Sequence, residues 1–246
     1  MSSTNRGGKR SPADNYPTPS FCVHRLLERV ELPGGLWYEP CAGEGAIIEA
    51  VNQVRDDVEW RATELRENGH EELVRRHGRL PGFRANCGDA LDPYPFDRSD
   101  PVKVVITNPP FSIAFELLNH EMREHPDAMI ALLLRINFWG SKKRQPFFEK
   151  FPADTFILPN RPSFRGAGTT DSIEYAWFIW PGQPRMREFG KVAVLALTAR
   201  DEQATPLITG EEFADEPETP SCNDEEPWSG PHDGDVWTKE ETEEYS

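Results

Sequence analysis

Gly35-Leu36-Trp37-Tyr38-Glu39, running into Pro40-Cys41-Ala42-Gly43-Glu44-Gly45, is the stretch that decides how this chain folds. A short apolar run ends on an acid, a loop with two glycines follows, and residues 46–54 then read as a helix. Gly43 and Gly45 let the backbone turn tightly and leave room for a ligand against the loop. A dinucleotide fingerprint needs G-x-G-x-x-G to seat a pyrophosphate on the helix N-terminus. Here the third position is Ile48, and Glu39 places an acid before the loop. Both departures favour a nucleoside cofactor without phosphates. Taken alone, the loop also reads as an ordinary structural turn.

The same alternation continues outward. Val58–Glu64 reads as a second strand, residues 71–77 as a helix closed by Gly78, and 83–87 and 102–107 as further strands. The last of these, VKVVIT, is rich in β-branched residues. Residues 112–125 form an amphipathic helix, with Phe115, Leu118 and Met122 on one face and Ser112 as its cap. The run AMIALLL at 128–134 is nearly continuous, as expected of a strand buried on both faces. Residues 155–158, Tyr175–Trp180 and 191–197 supply the remaining strand candidates. Such alternation predicts a parallel α/β sheet with helices on both faces. Ligands of these sheets sit beyond the carboxyl ends of the strands, so the chemistry belongs there.

Glu64 ends the second strand, 19 residues after Gly45. A carboxylate there can accept both hydroxyl hydrogens of a ribose; the bland alternative is a solvated strand end. Asp89 follows the third strand and suits an adenine amino group, or simply a turn. Thr107-Asn108-Pro109-Pro110-Phe111 ends the fourth strand and is the most informative segment. Two prolines stop the ladder and stiffen the chain. The Asn108 side chain and the Pro109 carbonyl then form a rigid pair of oxygens for an exocyclic –NH2, and Phe111 offers a flat face for stacking. A purely structural double-proline turn is the competing reading. Before the first strand, Asp14-Asn15-Tyr16-Pro17-Thr18-Pro19 enters a helix with Thr18 or Ser20 as cap and Phe21, Leu26 and Leu27 on its apolar side.

Charge divides the 246 residues. The formal net charge of −15 belongs entirely to residues 201–246, which hold one lysine against 16 acids. Rich in Pro, Ser, Thr and Gly, that segment reads as a disordered acidic tail. It acts either as a solvating appendage or as a mimic of nucleic-acid phosphates. Residues 1–14 read as a flexible, basic N-terminus, leaving one domain at 15–200. No apolar run approaches the ~20 residues that span a bilayer. The N-terminal residues carry no apolar leader, and Cys22, Cys41, Cys87 and Cys222 show no metal-binding spacing. The expectation is a cytoplasmic protein without a metal.

Tyr16-x-Thr18-Pro19, Glu39-Pro40-x-Ala42-Gly43-x-Gly45 and Asn108-Pro109-Pro110-Phe111, in that order, resemble the motifs of S-adenosylmethionine-dependent amino-methyltransferases of DNA. The match is to the gamma-type adenine-N6 enzymes, phage-type members included, over about residues 14–180. The resemblance implies a Rossmann-like sheet of seven strands, the last antiparallel, with 155–158 and Tyr175–Trp180 as its closing pair. It implies that Tyr16 and Thr18 contact the cofactor S-adenosylmethionine and that Glu39, Cys41, Gly43 and Gly45 line its methionine end. Glu64 is then the ribose ligand, Asp89 the adenine ligand, and Asn108, Pro109, Pro110 and Phe111 the catalytic corner. Two departures stand out: Glu39 and Cys41 replace the more usual Asp and Phe, and no long target-recognition domain follows the catalytic motif.

The segment 135–165 adds a local charge of +5, with Phe138, Trp139, Phe147, Phe148 and Phe164 interleaved among its basic residues. Lys142, Lys143, Arg144, Arg161 and Arg165 are candidates for phosphate contacts, and Asp171 for base contacts; the bland alternative is a solvated basic loop over core aromatics. The expected activity is methylation of a flipped adenine in DNA. An RNA amine, a protein glutamine amide, or a non-catalytic binding role are the alternatives.

Overall fold

The apolar runs around the glycine loop become neighbouring strands. A computed structural model describes residues 17–164, 173–183, 187 and 190–199, all within one unit spanning residues 15–205. In chain order the elements are α1 (Ser20–Arg29), β1 (Gly35–Glu39), α2 (Ala46–Asn52), β2 (Val58–Glu64), α3 (Glu67–His77), β3 (Arg84–Cys87) and β4 (Val104–Thr107). Then come α4 (Ala114–Glu124), β5 (Met129–Arg135), a 3-10 turn (Ile136–Trp139), α5 (Gln145–Lys150), β6 (Asp154–Ile157), β7 (Tyr175–Trp180) and β8 (Val192–Val194).

The strands form one mixed sheet in the order β3-β2-β1-β4-β5-β7-β6-β8, flanked by the helices. The run from β3 to β5 is parallel. β7 inserts antiparallel between β5 and β6, which is the expected closing pair. The sheet exceeds the seven strands implied by the resemblance: β8 adds an eighth, parallel to β6, at the extra strand expected from 191–197. From β1 the chain moves outward through β2 and β3, then crosses back so that β4 lies on the other side of β1. The strand order therefore reverses between β1 and β4, where α/β sheets hold their ligands.

β4 and the centre of β5 are buried on both faces, which explains their continuous apolar character. Trp37, Trp60, Trp177 and Trp180 are fully buried. Each donates its indole N–H, to Pro33 O at 2.8 Å, Asn52 Oδ1 at 3.1 Å, Cys22 O at 2.8 Å and Phe151 O at 2.9 Å respectively. Burial of so large a ring then leaves no unpaired donor behind.

α1 is fastened across the sheet. Phe21, Cys22, Val23 and Leu26 form its buried face. Besides the Trp177 bond, Arg25 Nε donates to Thr198 Oγ1 at 3.0 Å and His24 Nε2 lies 3.0 Å from Ala50 O. Neither Thr18 nor Ser20 caps this helix: its N-cap is Pro19, without a side-chain bond. Likewise Ser112 does not cap α4. The Ile113 N–H donates to Pro110 O at 3.1 Å, so the turn takes up residues 110–113 and helix begins at Ala114. Among the described residues no helix is long and apolar enough to cross a membrane, and no group of His, Cys, Asp and Glu could hold a metal. The N-terminal segment 1–14 and the acidic tail 201–246 lie outside the described residues.

Candidate active site

The β1 loop is built from backbone and carboxylate contacts. Ala42 N–H donates to Thr63 O at 2.9 Å, and Gly45 N–H to Ala42 O at 2.8 Å. Gly43 (φ 55°) and Gly45 (φ 85°) both take the left-handed conformation. At Gly45 the missing side chain makes room for α3 rather than for a ligand: a Cβ there would sit 2.3 Å from His77 Nε2. Glu39 is 2% exposed, and its Oε2 has no partner. Burial, then the nearby Glu64 charge, push its carboxyl well above the usual range, while the Ile48 backbone N–H in the first turn of α2 pulls the other way. Burial also raises the Cys41 thiol, with Glu121, Glu64 and Glu39 adding to it.

Glu64 closes the loop from β2. Its Oε2 accepts the Gly43 N–H at 2.8 Å, and its Oε1 accepts Arg66 N–H at 2.9 Å and Arg66 Nε at 2.7 Å. Three of the roughly four acceptor positions of a carboxylate are thus occupied. Asp89, beyond β3, is exposed, and its Oδ1 accepts the Leu91 N–H at 2.9 Å.

Across the switch point, Asn108 and Pro109 continue from β4. Asn108 Nδ2 donates to Thr18 Oγ1 at 3.1 Å. Thr18 is 4% exposed, placed there by the anchoring of α1. One face of the amide is thereby committed to Thr18, and the amide oxygen points elsewhere. Phe111 packs partly buried against the core. The Arg135 guanidinium carbon lies 4.6 Å from the Phe111 ring centroid, and Arg135 Nε donates to Tyr175 Oη at 3.2 Å.

The basic segment has a different character from its sequence pattern. Phe138, Phe147 and Phe148 are buried, packing on Phe178 and Trp180. Arg144 lies over Phe138 at 4.4 Å and donates Nε to its carbonyl at 2.9 Å. Arg161 pairs with Glu174 at 2.7 Å. Lys142 is exposed and Lys143 half-buried. Tyr16, Arg165 and Asp171 lie outside the described residues.

One buried polar cluster was not anticipated. Glu121 on α4 is 1% exposed, with neither carboxylate oxygen hydrogen-bonded. His125 Nε2 is 3.6 Å away, and the Tyr94 ring stands edge-on to His125 at 4.6 Å. Helical spacing carried the signal: Glu121 falls between Leu118 and Met122 on the apolar face of α4.

No protein-family model matches the chain, and no curated protein matches it in sequence. Solved structures do. A Listeria monocytogenes protein assigned to the class I S-adenosylmethionine-dependent methyltransferases is 13% identical with a TM-score of 0.51, covering 74% of this chain and 64% of its own. The 23S rRNA methyltransferase ErmE is 14% identical with a TM-score of 0.50, covering 72% and 71%. The modification subunit of a type I restriction enzyme assigned in Vibrio vulnificus is 14% identical with a TM-score of 0.47, covering 73% and 46%. This chain thus spans a little under two thirds of the Listeria protein. At such identities the likeness is one of fold, and the fold is that of the class I S-adenosylmethionine-dependent methyltransferases.

Proposed function

We propose that this chain transfers a methyl group from S-adenosylmethionine to the exocyclic amine of an adenine in DNA, held outside the helix. The observation that carries the reading is the Asn108–Thr18 bond. It orients a side-chain amide so that its oxygen is left for a substrate N–H, on the strand next to the glycine loop.

The loop residues fit the cofactor. S-adenosylmethionine carries a positive sulfonium and, when bound, supplies an activated methyl group. A buried carboxylate oxygen on Glu39 without a partner suits such a cationic tail. Glu39, Cys41, Gly43 and Gly45 would hold the methionine end and Tyr16 would contact the cofactor, while the Thr18 hydroxyl is engaged with Asn108. Glu64 would take the ribose, exchanging one of its present donors for a hydroxyl, and Asp89 would meet the adenine.

On the substrate side, Asn108 Oδ1 and the Pro109 carbonyl accept the two amine hydrogens. An adenine amine is a weak nucleophile because its lone pair is delocalised into the ring. Two fixed acceptors draw the nitrogen toward a pyramidal shape and stabilise the positive charge it gains. Pro109 and Pro110 hold that corner rigid, so alignment of the amine is set before reaction. In duplex DNA the amine is paired, so the base must leave the stack; Phe111 gives it a new one. Lys142, Lys143, Arg144, Arg161 and Arg165 are the proposed phosphate contacts, with Arg144 and Arg161 first leaving their internal partners.

Tritiated methyl transfer to DNA, RNA and protein, followed by nucleoside mass spectrometry, tests the reading. N6-methyldeoxyadenosine is expected, lost in Asn108→Ala with cofactor affinity unchanged. Label in RNA or protein alone would overturn the DNA assignment.

A further inference from the structure

Arg66 lies outside the motifs above, yet it governs the carboxylate at the end of β2. It is the N-cap of α3, with extended backbone (φ −86°, ψ 131°), and its carbonyl accepts the His70 N–H at 2.9 Å. The chain at Arg66 is therefore fixed by the helix it opens. Its side chain makes no capping bond to that helix and turns to Glu64 instead. The Arg66 backbone N–H, at 2.9 Å, and its Nε, at 2.7 Å, both donate to Glu64 Oε1. The ion pair is largely enclosed, with the Glu64 side chain 7% and that of Arg66 23% exposed. Gly69, buried in the first turn of α3, makes room for it. A Cβ there would stand 3.0 Å from Arg66 Nη2, from Glu64 Cγ and from Glu64 Oε1.

The two oxygens of Glu64 are thereby made different. Oε1 takes both Arg66 donors, which fills the acceptor positions of one carboxylate oxygen. Oε2 takes only the Gly43 N–H, at 2.8 Å, and keeps one position open. The donor that a second hydroxyl would replace is on this oxygen too. This inference rests on the proposed function, since it takes Glu64 as the ribose ligand, and it names the residue that makes that ligand selective. We propose that Arg66 is a positioning residue: it pins Glu64 Oε1 and leaves Oε2 as the oxygen that receives a ribose hydroxyl, without itself touching the cofactor. Charge-assisted bonds are short and directional, so the carboxylate is already ordered when the ribose arrives and little entropy is lost in binding. A ligand without that hydroxyl gains nothing from the order, and the site discriminates against it.

The test is calorimetry on the full chain with S-adenosylhomocysteine and its 2′-deoxy and 3′-deoxy analogues, in the wild type, Arg66→Met and Arg66→Gln. Methionine keeps the shape of the side chain as far as the Nε position and removes the donor. Glutamine places an N–H at that position without the charge. The wild type should bind at least one deoxy analogue about tenfold or more weakly than S-adenosylhomocysteine, the cost of one hydrogen bond to a charged group. In Arg66→Met that ratio should shrink by about threefold or more, through weaker binding of S-adenosylhomocysteine while the analogue is unaffected. Arg66→Gln should restore it. A wild-type ratio in Arg66→Met would overturn the inference and leave Glu64 as the ribose ligand. So would equal losses for all three ligands, which mark general support of the pocket. Failure of Arg66→Gln to recover the ratio would overturn it as well, since charge and not a placed N–H would then be what matters. If the wild type itself does not distinguish the ligands, the reading of Glu64 as ribose ligand fails, and the role of Arg66 falls with it.

Discussion

Asn108 and Thr18, 90 residues apart in the chain, are joined by a hydrogen bond from Nδ2 to Oγ1 at 3.1 Å. That bond engages one of the two amide hydrogens of Asn108 and turns its oxygen away from Thr18. Thr18 therefore positions Asn108, a role separate from any contact with the cofactor.

Thr18→Val keeps the shape and removes the acceptor. With one Asn108 N–H left unpaired, kcat should fall by roughly 5- to 100-fold, as expected from about 1–3 kcal/mol for an unsatisfied polar group. Thr18→Ser should recover most of the loss. Calorimetry with S-adenosylmethionine should show little change in affinity. A large loss of cofactor affinity with intact kcat would assign Thr18 to the cofactor instead.

Glu39 predicts proton release on cofactor binding. Burial, and then Glu64, raise its carboxyl above the usual range, so the free protein holds a proton there at pH values where an ordinary glutamate is ionised. A cationic ligand beside it favours the charged form and lowers that value. Affinity should accordingly rise with pH until Glu39 is already ionised in the free protein. Calorimetry in buffers of different ionisation enthalpy measures the released proton. Equal heats in all buffers would count against the assignment, and Glu39→Gln should remove the effect.

Glu121 links stability to pH with a definite sign. Burial, with Glu124 nearby, holds its folded-state carboxyl well above the unfolded value of 4.5. The folded state therefore binds the proton more tightly. Its contribution is complete below the unfolded value and is lost as pH rises through the folded one. Around it stand His125, Tyr38, Tyr94 and Cys41. Glu121→Gln should raise the thermal midpoint at pH 8 by roughly 2–10 °C, from about 1–3 kcal/mol, and by less at pH 5. A variant less stable than wild type at pH 8 would show that the ionised carboxylate is supported.

Gly45→Ala tests the packing of the loop against α3. The residue adopts φ 85°, and a Cβ would come 2.3 Å from His77 Nε2. The backbone conformation alone costs roughly 1–2 kcal/mol, and displacement of His77 adds to it. Urea unfolding should show a midpoint shifted to lower denaturant. An unchanged midpoint would mean that α3 yields freely.

The core strands were legible in sequence because burial on both faces leaves an unbroken apolar run, as in the segment that became β5. In the segment 135–165 the aromatics interleaved among basic residues take the alternative of core residues: α5 turns Phe147 and Phe148 inward onto Trp180. Composition records which residue types share a segment and not which way they face. Glu121 was missed because an acid at helical spacing among apolar neighbours is ordinarily assigned to the solvent face.

By itself the sequence determined the alternation of strands and helices, and with it the carboxyl-end positions of Glu39, Glu64, Asp89 and Asn108. These follow from local periodicity and from glycine and proline stereochemistry, which act within a few residues. Only the tertiary structure decided that Thr18 holds Asn108, that Gly45 yields its space to His77, and that Arg135 lies on Phe111. Each of these joins residues at least 24 positions apart, and such pairs meet only once strand order and helix packing have been settled by the whole core.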